Sequence, residues 1–230
     1  MREPASLLPR KETLETSTRL LVAGHVVGLV CSFASTILVV RLLSYETYAS
    51  FVLTLAVMVT AMLSVQWGYA TILPRYLGQT PEHGRLLCRR ALIIQVPIAL
   101  LLLGVGLIII TFLETGIFGV MEAGILGIGL AALGLRKSLD STFRTIGYTS
   151  REAVLIIIER AGTLLALLIL GVVQNDATLT VCIGISFGPV FALAVSVFWY
   201  FDLRLNDPVS ISPSAKQLFS EGLPYVLIVA

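Results

Sequence analysis

Long uncharged stretches alternate with short charged segments along this chain. Four stretches, residues 20–40, 47–74, 91–113 and 177–201, contain no Asp, Glu, Lys or Arg. A helix needs about 20 apolar residues to cross the hydrocarbon core of a bilayer, so each stretch is long enough. A strand of a membrane β-barrel would alternate polar and apolar residues, and residues 100–110 (LLLLGVGLIII) do not. The pattern therefore predicts transmembrane helices.

Two further apolar stretches carry isolated charges, Glu122 in one and Glu159 with Arg160 in the other. With them, the predicted fold is an all-α, polytopic transmembrane bundle of six spanning helices plus the start of a seventh. The predicted spans are residues 20–40, 47–73, 91–113, 115–135, 153–173 and 177–201, within a bundle at 20–201. Residues 1–19 are the N-terminal segment, and 202–221 form a linker with turn signals at Asp207-Pro208 and Ser212-Pro213.

The distribution of positive charge predicts how the bundle is oriented. Fourteen of the sixteen Lys and Arg residues lie in the N-terminal segment and in every second connection, including the linker. Only Arg41 lies in a connection on the opposite side, and Arg160 lies inside span five. Lys and Arg mark the cytoplasmic side of short loops. The sequence therefore predicts a multi-pass protein of the inner (cytoplasmic) membrane with a cytoplasmic N-terminus and a cytoplasmic linker.

Residues 222–230 (GLPYVLIVA) are apolar but too few to cross a bilayer. We interpret them as the beginning of a seventh span. The sequence is then either a fragment of a longer protein with 12–14 spans or a truncated product, and a single bundle is not expected to transport anything.

Small residues are spaced for close helix packing in spans one and six. Gly24 and Gly28 in span one, and Gly184 and Gly188 in span six, have the small-xxx-small spacing. Ordinary packing is one interpretation of this spacing, and sliding surfaces in a moving transporter are the other.

Ionisable residues within a membrane are costly and mark candidate functional sites. Arg160 can offer a bidentate donor fork to a phosphate, and Arg41 is the second candidate for substrate binding. Glu159 and Glu122 are candidates for ion coupling. For each, the alternative is structural: an interfacial pair for Glu159 and Arg160, a carboxyl at the membrane edge for Glu122, and a helix-end anchor for Arg41.

Other polar residues in the spans are interpreted as packing groups. His25 is expected to be a packed polar residue, and Gln66, Gln95 and Asn175 are expected to form interhelical hydrogen bonds. Adjacent residues on a helix are about 100° apart, so Glu159 and Arg160 should not both face one neighbour.

The chain shows no arrangement of residues that predicts catalysis. It has two histidines and no HExxH, GxSxG or P-loop motif. Its three cysteines lack disulfide or metal-ligand spacing, two lying in apolar spans and Cys88 in a basic loop. We therefore expect no enzyme activity, no metal, no cofactor and no nucleic-acid partner.

Four segments together resemble one known family. Residues 41–51 (RLLSYETYASF) resemble that family's end of span one and the element after it, although Ala49 stands where the family usually has Gly. Residues 66–76 (QWGYATILPRY) resemble its end of span two, residues 143–147 (FRTIG) its turn after span four, and residues 222–224 (GLP) its opening of span seven. The family that these segments resemble is the polysaccharide flippases, the polysaccharide transporter branch of the multidrug/oligosaccharidyl-lipid/polysaccharide superfamily.

The resemblance implies two six-helix bundles that face each other across a central cavity and work by alternating access. The implied cargo is an oligosaccharide on a polyprenyl diphosphate lipid, used for surface polysaccharides such as O-antigen or exopolysaccharide. The implied partners are the bilayer, this lipid-linked substrate and polysaccharide assembly proteins. Two alternatives stay open: another exporter of the superfamily, for drugs or peptidoglycan precursors, and a membrane polysaccharide polymerase or ligase.

Overall fold

The computed structural model describes residues 14–63, 65, 69–79, 84–112, 119–146, 148–174 and 176–202, and these residues are helical apart from short connections. The seven helices are α1 (Leu14–Leu42), α2 (Tyr45–Leu63), α3 (Tyr69–Gln79), α4 (Gly84–Phe112), α5 (Val120–Ile146), α6 (Thr149–Val173) and α7 (Ala177–Asp202). The predicted class, a helical transmembrane bundle, is confirmed.

Four of the described helices are long and apolar enough to cross a membrane: Thr18–Leu42, Leu86–Phe112, Thr149–Val173 and Ala177–Tyr200. They fall on predicted spans one, three, five and six. Large apolar side chains cover their outer faces, and Leu29, Phe33 and Val172 are each at least 70% exposed. Such a surface suits contact with lipid, because lipid tails replace the protein core as the apolar surroundings of these side chains.

Predicted span two, residues 47–73, is divided between two helices. The stretch begins in α2, which ends at Leu63, and continues in α3, which begins at Tyr69. The described parts of the stretch, residues 47–63 and 69–73, are helical, whereas the uncharged pattern predicted one continuous span.

The connection expected after span four is helical almost throughout. Helix α5 runs on to Ile146, about 11 residues or 17 Å beyond the expected end of the span. The basic residues that predicted topology therefore lie on a helix rather than in a loop. Cys88 likewise lies in α4 instead of a loop, where its sulfur is 2.8 Å from the hydroxyl of Thr142.

The helices pack in an order that differs from their order in the chain. Helix α1 packs mainly against α6, α6 packs between α1 and α7, and α7 packs against α5. Helix α5 then contacts α2, α3 and α4. Although α5 and α6 are consecutive, they touch each other little, and this leaves room for a cavity between them.

Glycines hold α6 close to both of its neighbours. A Cβ at Gly24 would lie 3.0 Å from the carbonyl oxygen of Ala153 on α6. A Cβ at Gly188 of α7 would overlap the carbonyl oxygen of Glu159, and Gly184 packs in the same way against Leu167. The glycine pairs therefore lie at helix interfaces, as their spacing predicted.

One predicted interhelical hydrogen-bond former can be assessed. Gln95 is fully buried, and its Nε2 donates to the carbonyl oxygen of Val65 at 3.1 Å and to the hydroxyl of Ser138 at 2.7 Å. That prediction is confirmed. Gln66 and Asn175 lie outside the described residues, as do the linker from residue 203 onward, the seventh span and the first 13 residues.

Candidate functional site

A cavity of about 240 Å³ lies where α1, α5 and α6 meet, and we name it the charged cavity. Its ionisable lining residues are His25 of α1, Arg136, Lys137, Asp140 and Arg144 of α5, and Glu152, Glu159 and Arg160 of α6. With His25 neutral, four cations face three carboxylates, and the lining has a net charge of +1.

A buried ion pair in the wall of this cavity joins α5 to α6. The side chains of Arg136 and Glu159 are 2% and 3% exposed, and Arg136 Nη2 contacts the Glu159 carboxylate. The same nitrogen lies 3.5 Å from Asp140 Oδ2, one turn along α5. Charges this deeply buried need each other, because either one alone would be costly to remove from water.

The pair still leaves hydrogen-bonding capacity at the cavity. Within the described part of the chain, Arg136 Nε and Nη1 have no hydrogen-bond partner, and neither does Asp140 Oδ1. Buried polar groups are normally satisfied by protein or water. These two nitrogens of Arg136 are themselves buried, so the cations that the cavity presents to an anionic group include the more exposed Arg144 and Arg160.

Arg160 lies beside this pair but is directed differently. Its Nε is 3.1 Å from Glu159 Oε1, and its side chain is 47% exposed, whereas Glu159 faces α5 and is buried. A Cβ at Gly28 of α1 would lie 3.4 Å from Arg160 Cγ, so this glycine allows the arginine to pass beside α1. The expectation that Glu159 and Arg160 face different neighbours is confirmed, although they also contact each other.

A second ion pair lies at the α5–α6 end of the cavity. Arg144 donates from Nε to Glu152 Oε2 at 2.9 Å and also from Nη2 to Glu152 Oε1. Glu152 is 4% exposed and Arg144 is 59% exposed. This two-point contact fixes the start of α6 against the end of α5, because a guanidinium and a carboxylate match in a planar fork.

Asp140 lies five residues beyond the expected end of span four, and its ionisation is perturbed. Burial raises the pKa of its carboxyl to about 6, and the nearby Arg136 guanidinium opposes that rise. Its charge therefore changes within a physiologically relevant pH range.

The other two sequence candidates lie away from the charged cavity. Arg41 is exposed in the last turn of α1, about 20 Å along the helix from Gly28. Glu122 is half-buried in the first turn of α5, about 21 Å along that helix from Arg136. A cation at a helix C-terminus and an anion at an N-terminus are both favoured by the helix dipole. Their surroundings suit helix-end anchors, and their proposed functional roles stay predictions.

Sequence reasoning missed the α5 half of the site. Arg136, Asp140 and Arg144 recur every four residues, a spacing that places them on one face of a helix. That periodicity could have identified them, but they were interpreted as part of a cytoplasmic loop. His25, expected to be packed, is exposed at the cavity wall.

Three solved structures share this fold. An outward-facing multidrug-resistance MATE-family transporter of the MOP superfamily matches 91% of this chain and 51% of its own, with 16% identity and a TM-score of 0.73. A MOP superfamily transporter from Pyrococcus furiosus matches 94% and 53%, with 17% identity and a TM-score of 0.70. A MATE protein in complex with Br-NRF matches 93% and 53%, with 17% identity and a TM-score of 0.67.

The chain spans about half the length of each of these structures. No protein-family model matches the sequence, and no curated protein is similar enough to count as a relative. The chain is therefore a multi-pass helical membrane protein whose fold is similar to about half of each of these transporter structures. The second bundle and the polysaccharide branch, both implied by the sequence resemblance, stay predictions.

Proposed function

We propose that the complete protein carrying this chain is a flippase. It moves an oligosaccharide linked to a polyprenyl diphosphate across the cytoplasmic membrane by alternating access, for surface polysaccharide assembly. This chain forms the first bundle, with its N-terminus in the cytoplasm. The fold shared with MOP transporters supports a transporter, and the sequence resemblance supports this cargo.

The observation that carries the proposal is the cationic excess of the charged cavity. Four cations face three carboxylates, and two donors of the buried Arg136 have no partner among the described residues. A diphosphate is an anion with several acceptor oxygens, and guanidinium groups bind such oxygens in a fork. Arg160 is half-exposed at the cavity and can reach a lipid headgroup without breaking a buried pair.

The remaining candidate residues have secondary roles in this proposal. Glu159 holds Arg136 and Arg160 in place and is the nearer of the two ion-coupling candidates. Arg41 and Glu122 lie at the opposite ends of α1 and α5 from the charged cavity, on the external side in the expected orientation. They would meet the cargo or a coupling ion after the cavity has opened outward.

The proposal is tested on the lipids of a strain that lacks the gene. Polyprenyl-linked oligosaccharide is extracted, quantified by mass, and assigned to a membrane face with an impermeant modifying reagent. Completed repeat units should accumulate on the cytoplasmic face. Their absence, or single units on the outer face, would move the assignment to another exporter or to a polymerase.

Arg160→Ala in the complete protein provides a residue-level test. We expect surface polymer to fall about tenfold at unchanged protein level, since a lost charge-assisted hydrogen bond costs about 1.5–3 kcal/mol. Arg89→Ala is the matched control, because Arg89 is an exposed arginine on α4 that lies outside the charged cavity. Normal polymer output from Arg160→Ala would exclude Arg160 from cargo binding.

A second candidate is export of a drug-like organic cation. The multidrug-resistance transporter with a similar fold favours it, and the three cavity carboxylates could hold a cation. Loss of the gene would then increase sensitivity to cationic compounds and leave lipid-linked oligosaccharide unchanged.

A further inference from the structure

A second cavity, of about 300 Å³, lies beside the charged cavity, and we name it the hydroxyl cavity. Helices α1, α2 and α6 provide most of its wall. Hydroxyl groups come from Ser32, Ser35, Thr36, Tyr48 and Thr163. The apolar part of the wall includes Phe51, whose ring centroid is 6.3 Å from that of Tyr48. Its volume falls at the lower end of the range for small-molecule sites, about 300–1,000 Å³.

The two cavities share part of their walls. Among the residues that the structure describes, Ser32 and Arg160 are the two that line both cavities. A ligand can therefore place its anionic group beside Arg160 in the charged cavity. The part of the ligand next to that group would then lie at the entrance of the hydroxyl cavity. The two cavities differ in charge, because Arg160 is the one charged residue among the described residues that line the hydroxyl cavity.

One of these hydroxyls has unused hydrogen-bonding capacity. Ser35 is 8% exposed, and its Oγ has no hydrogen-bond partner within the described part of the chain. Thr36, in contrast, donates to the carbonyl oxygen of Ser32 at 3.0 Å. An unpaired buried hydroxyl is costly unless something satisfies it. A ligand that carries hydroxyls of its own could satisfy Ser35.

We propose that the hydroxyl cavity is a sugar subsite, which receives the first sugar of the lipid-linked cargo while its diphosphate is held beside Arg160. This inference rests on the proposed flippase function and assigns the part of the cargo that each cavity takes. Hydroxyl groups next to an aromatic pair suit a sugar ring, which has polar edges and an apolar face. A prenyl chain, the other apolar part of the cargo, would leave Ser35 unpaired.

The test compares two probes on the purified complete protein in detergent. One probe is polyprenyl diphosphate without sugar, and the other is polyprenyl diphosphate carrying one N-acetylhexosamine. The wild-type protein should bind the sugar-bearing probe more tightly. Ser35→Ala should lower the affinity for the sugar-bearing probe about fivefold, as expected for the loss of one hydrogen bond. Its affinity for the sugarless probe should be unchanged.

Each of the two test residues, Ser35 and Thr163, has a matched control elsewhere in the chain. Ser196→Ala is the control for Ser35→Ala, because Ser196 is a buried serine outside the hydroxyl cavity whose hydroxyl has no hydrogen-bond partner among the described residues. Thr163→Val is a second test variant, and Thr54→Val is its control, because Thr54 is buried outside this cavity. For each variant, the affinity for the sugar-bearing probe is compared with the affinity for the sugarless probe. A misfolded fraction lowers the binding signal of both probes equally, so it does not change this ratio.

The outcomes separate the inference from the function on which it rests. Equal binding of the two probes by wild type, or an equal loss for both in Ser35→Ala, would overturn the sugar subsite and leave the flippase proposal standing. An equal loss is also the result expected if a prenyl chain fills the cavity. Failure of wild type to bind either probe would overturn both proposals.

Discussion

The strongest stability prediction concerns Glu159, which contacts two arginines in different surroundings. Arg136 is 2% exposed and Arg160 is 47% exposed. Removing one partner of a buried pair costs about 3–5 kcal/mol, because the other charge is left buried. Asp140 would still lie 3.5 Å from Arg136 and would offset part of that cost. We therefore expect Glu159→Gln to lower the free energy of unfolding by about 3 kcal/mol.

Two double-mutant cycles separate the contributions of the two arginines. One combines Glu159→Gln with Arg136→Met, and the other combines it with Arg160→Met. The coupling energy for the buried arginine should be about 2 kcal/mol, within the range for groups in one network. The coupling energy between Glu159 and the half-exposed Arg160 should be below about 1 kcal/mol, as for ion pairs near solvent.

The assay is equilibrium unfolding of the complete protein in mixed micelles of denaturing and mild detergent at neutral pH. Arg89→Met provides the baseline for losing an exposed arginine from a helix. Equal coupling energies in the two cycles would refute the reasoning. So would a Glu159→Gln variant as stable as wild type, which would mean that Arg136 is satisfied without Glu159.

Two further predictions concern packing and pH. Gly188→Ala should lower the free energy of unfolding by about 2 kcal/mol, since its Cβ would overlap the carbonyl oxygen of Glu159 on α6. Gly104→Ala is the control in the same unfolding assay and should leave this free energy nearly unchanged, because its Cβ would meet no described atom within 4 Å beyond its chain neighbours and its own helix backbone. Burial raises the folded-state pKa of Asp140 from its ordinary value of 3.8 to about 6. Its contribution to stability should therefore fall by about 1 kcal/mol per unit as pH rises from about 4 to about 6. Asp140→Asn should flatten that part of the profile in unfolding measured across this range, and an unchanged slope would contradict the assignment.

Local composition was sufficient to determine the membrane class and most of the helices. Uncharged stretches of 21 residues or more are incompatible with a soluble domain, so spans one, three and six could be located directly from the sequence. Glycine spacing also located the contact faces of α1 and α7, because close helix approach in a membrane depends on small residues.

Features that depend on contacts between distant residues could not be predicted in this way. Residues 47–74 carry no charge, so the absence of charge predicted one span and did not show that α2 and α3 are separate helices. The number of basic residues on each side of the membrane predicts topology but not helicity, so it does not show that Arg136 and Arg144 lie on α5. The four candidates Arg160, Arg41, Glu159 and Glu122 were treated as comparable, and only two of them share a cavity.

The sequence by itself determined that this chain enters a membrane as a helical bundle, because burial of apolar helices in lipid is a property of each segment. Only the tertiary structure decided that Arg136 pairs with Glu159 across α5 and α6, and that Arg160 lies between a charged and a hydroxyl-lined cavity. These facts depend on the packing order of the helices. That order is set by which faces fit together, and no single segment contains that information.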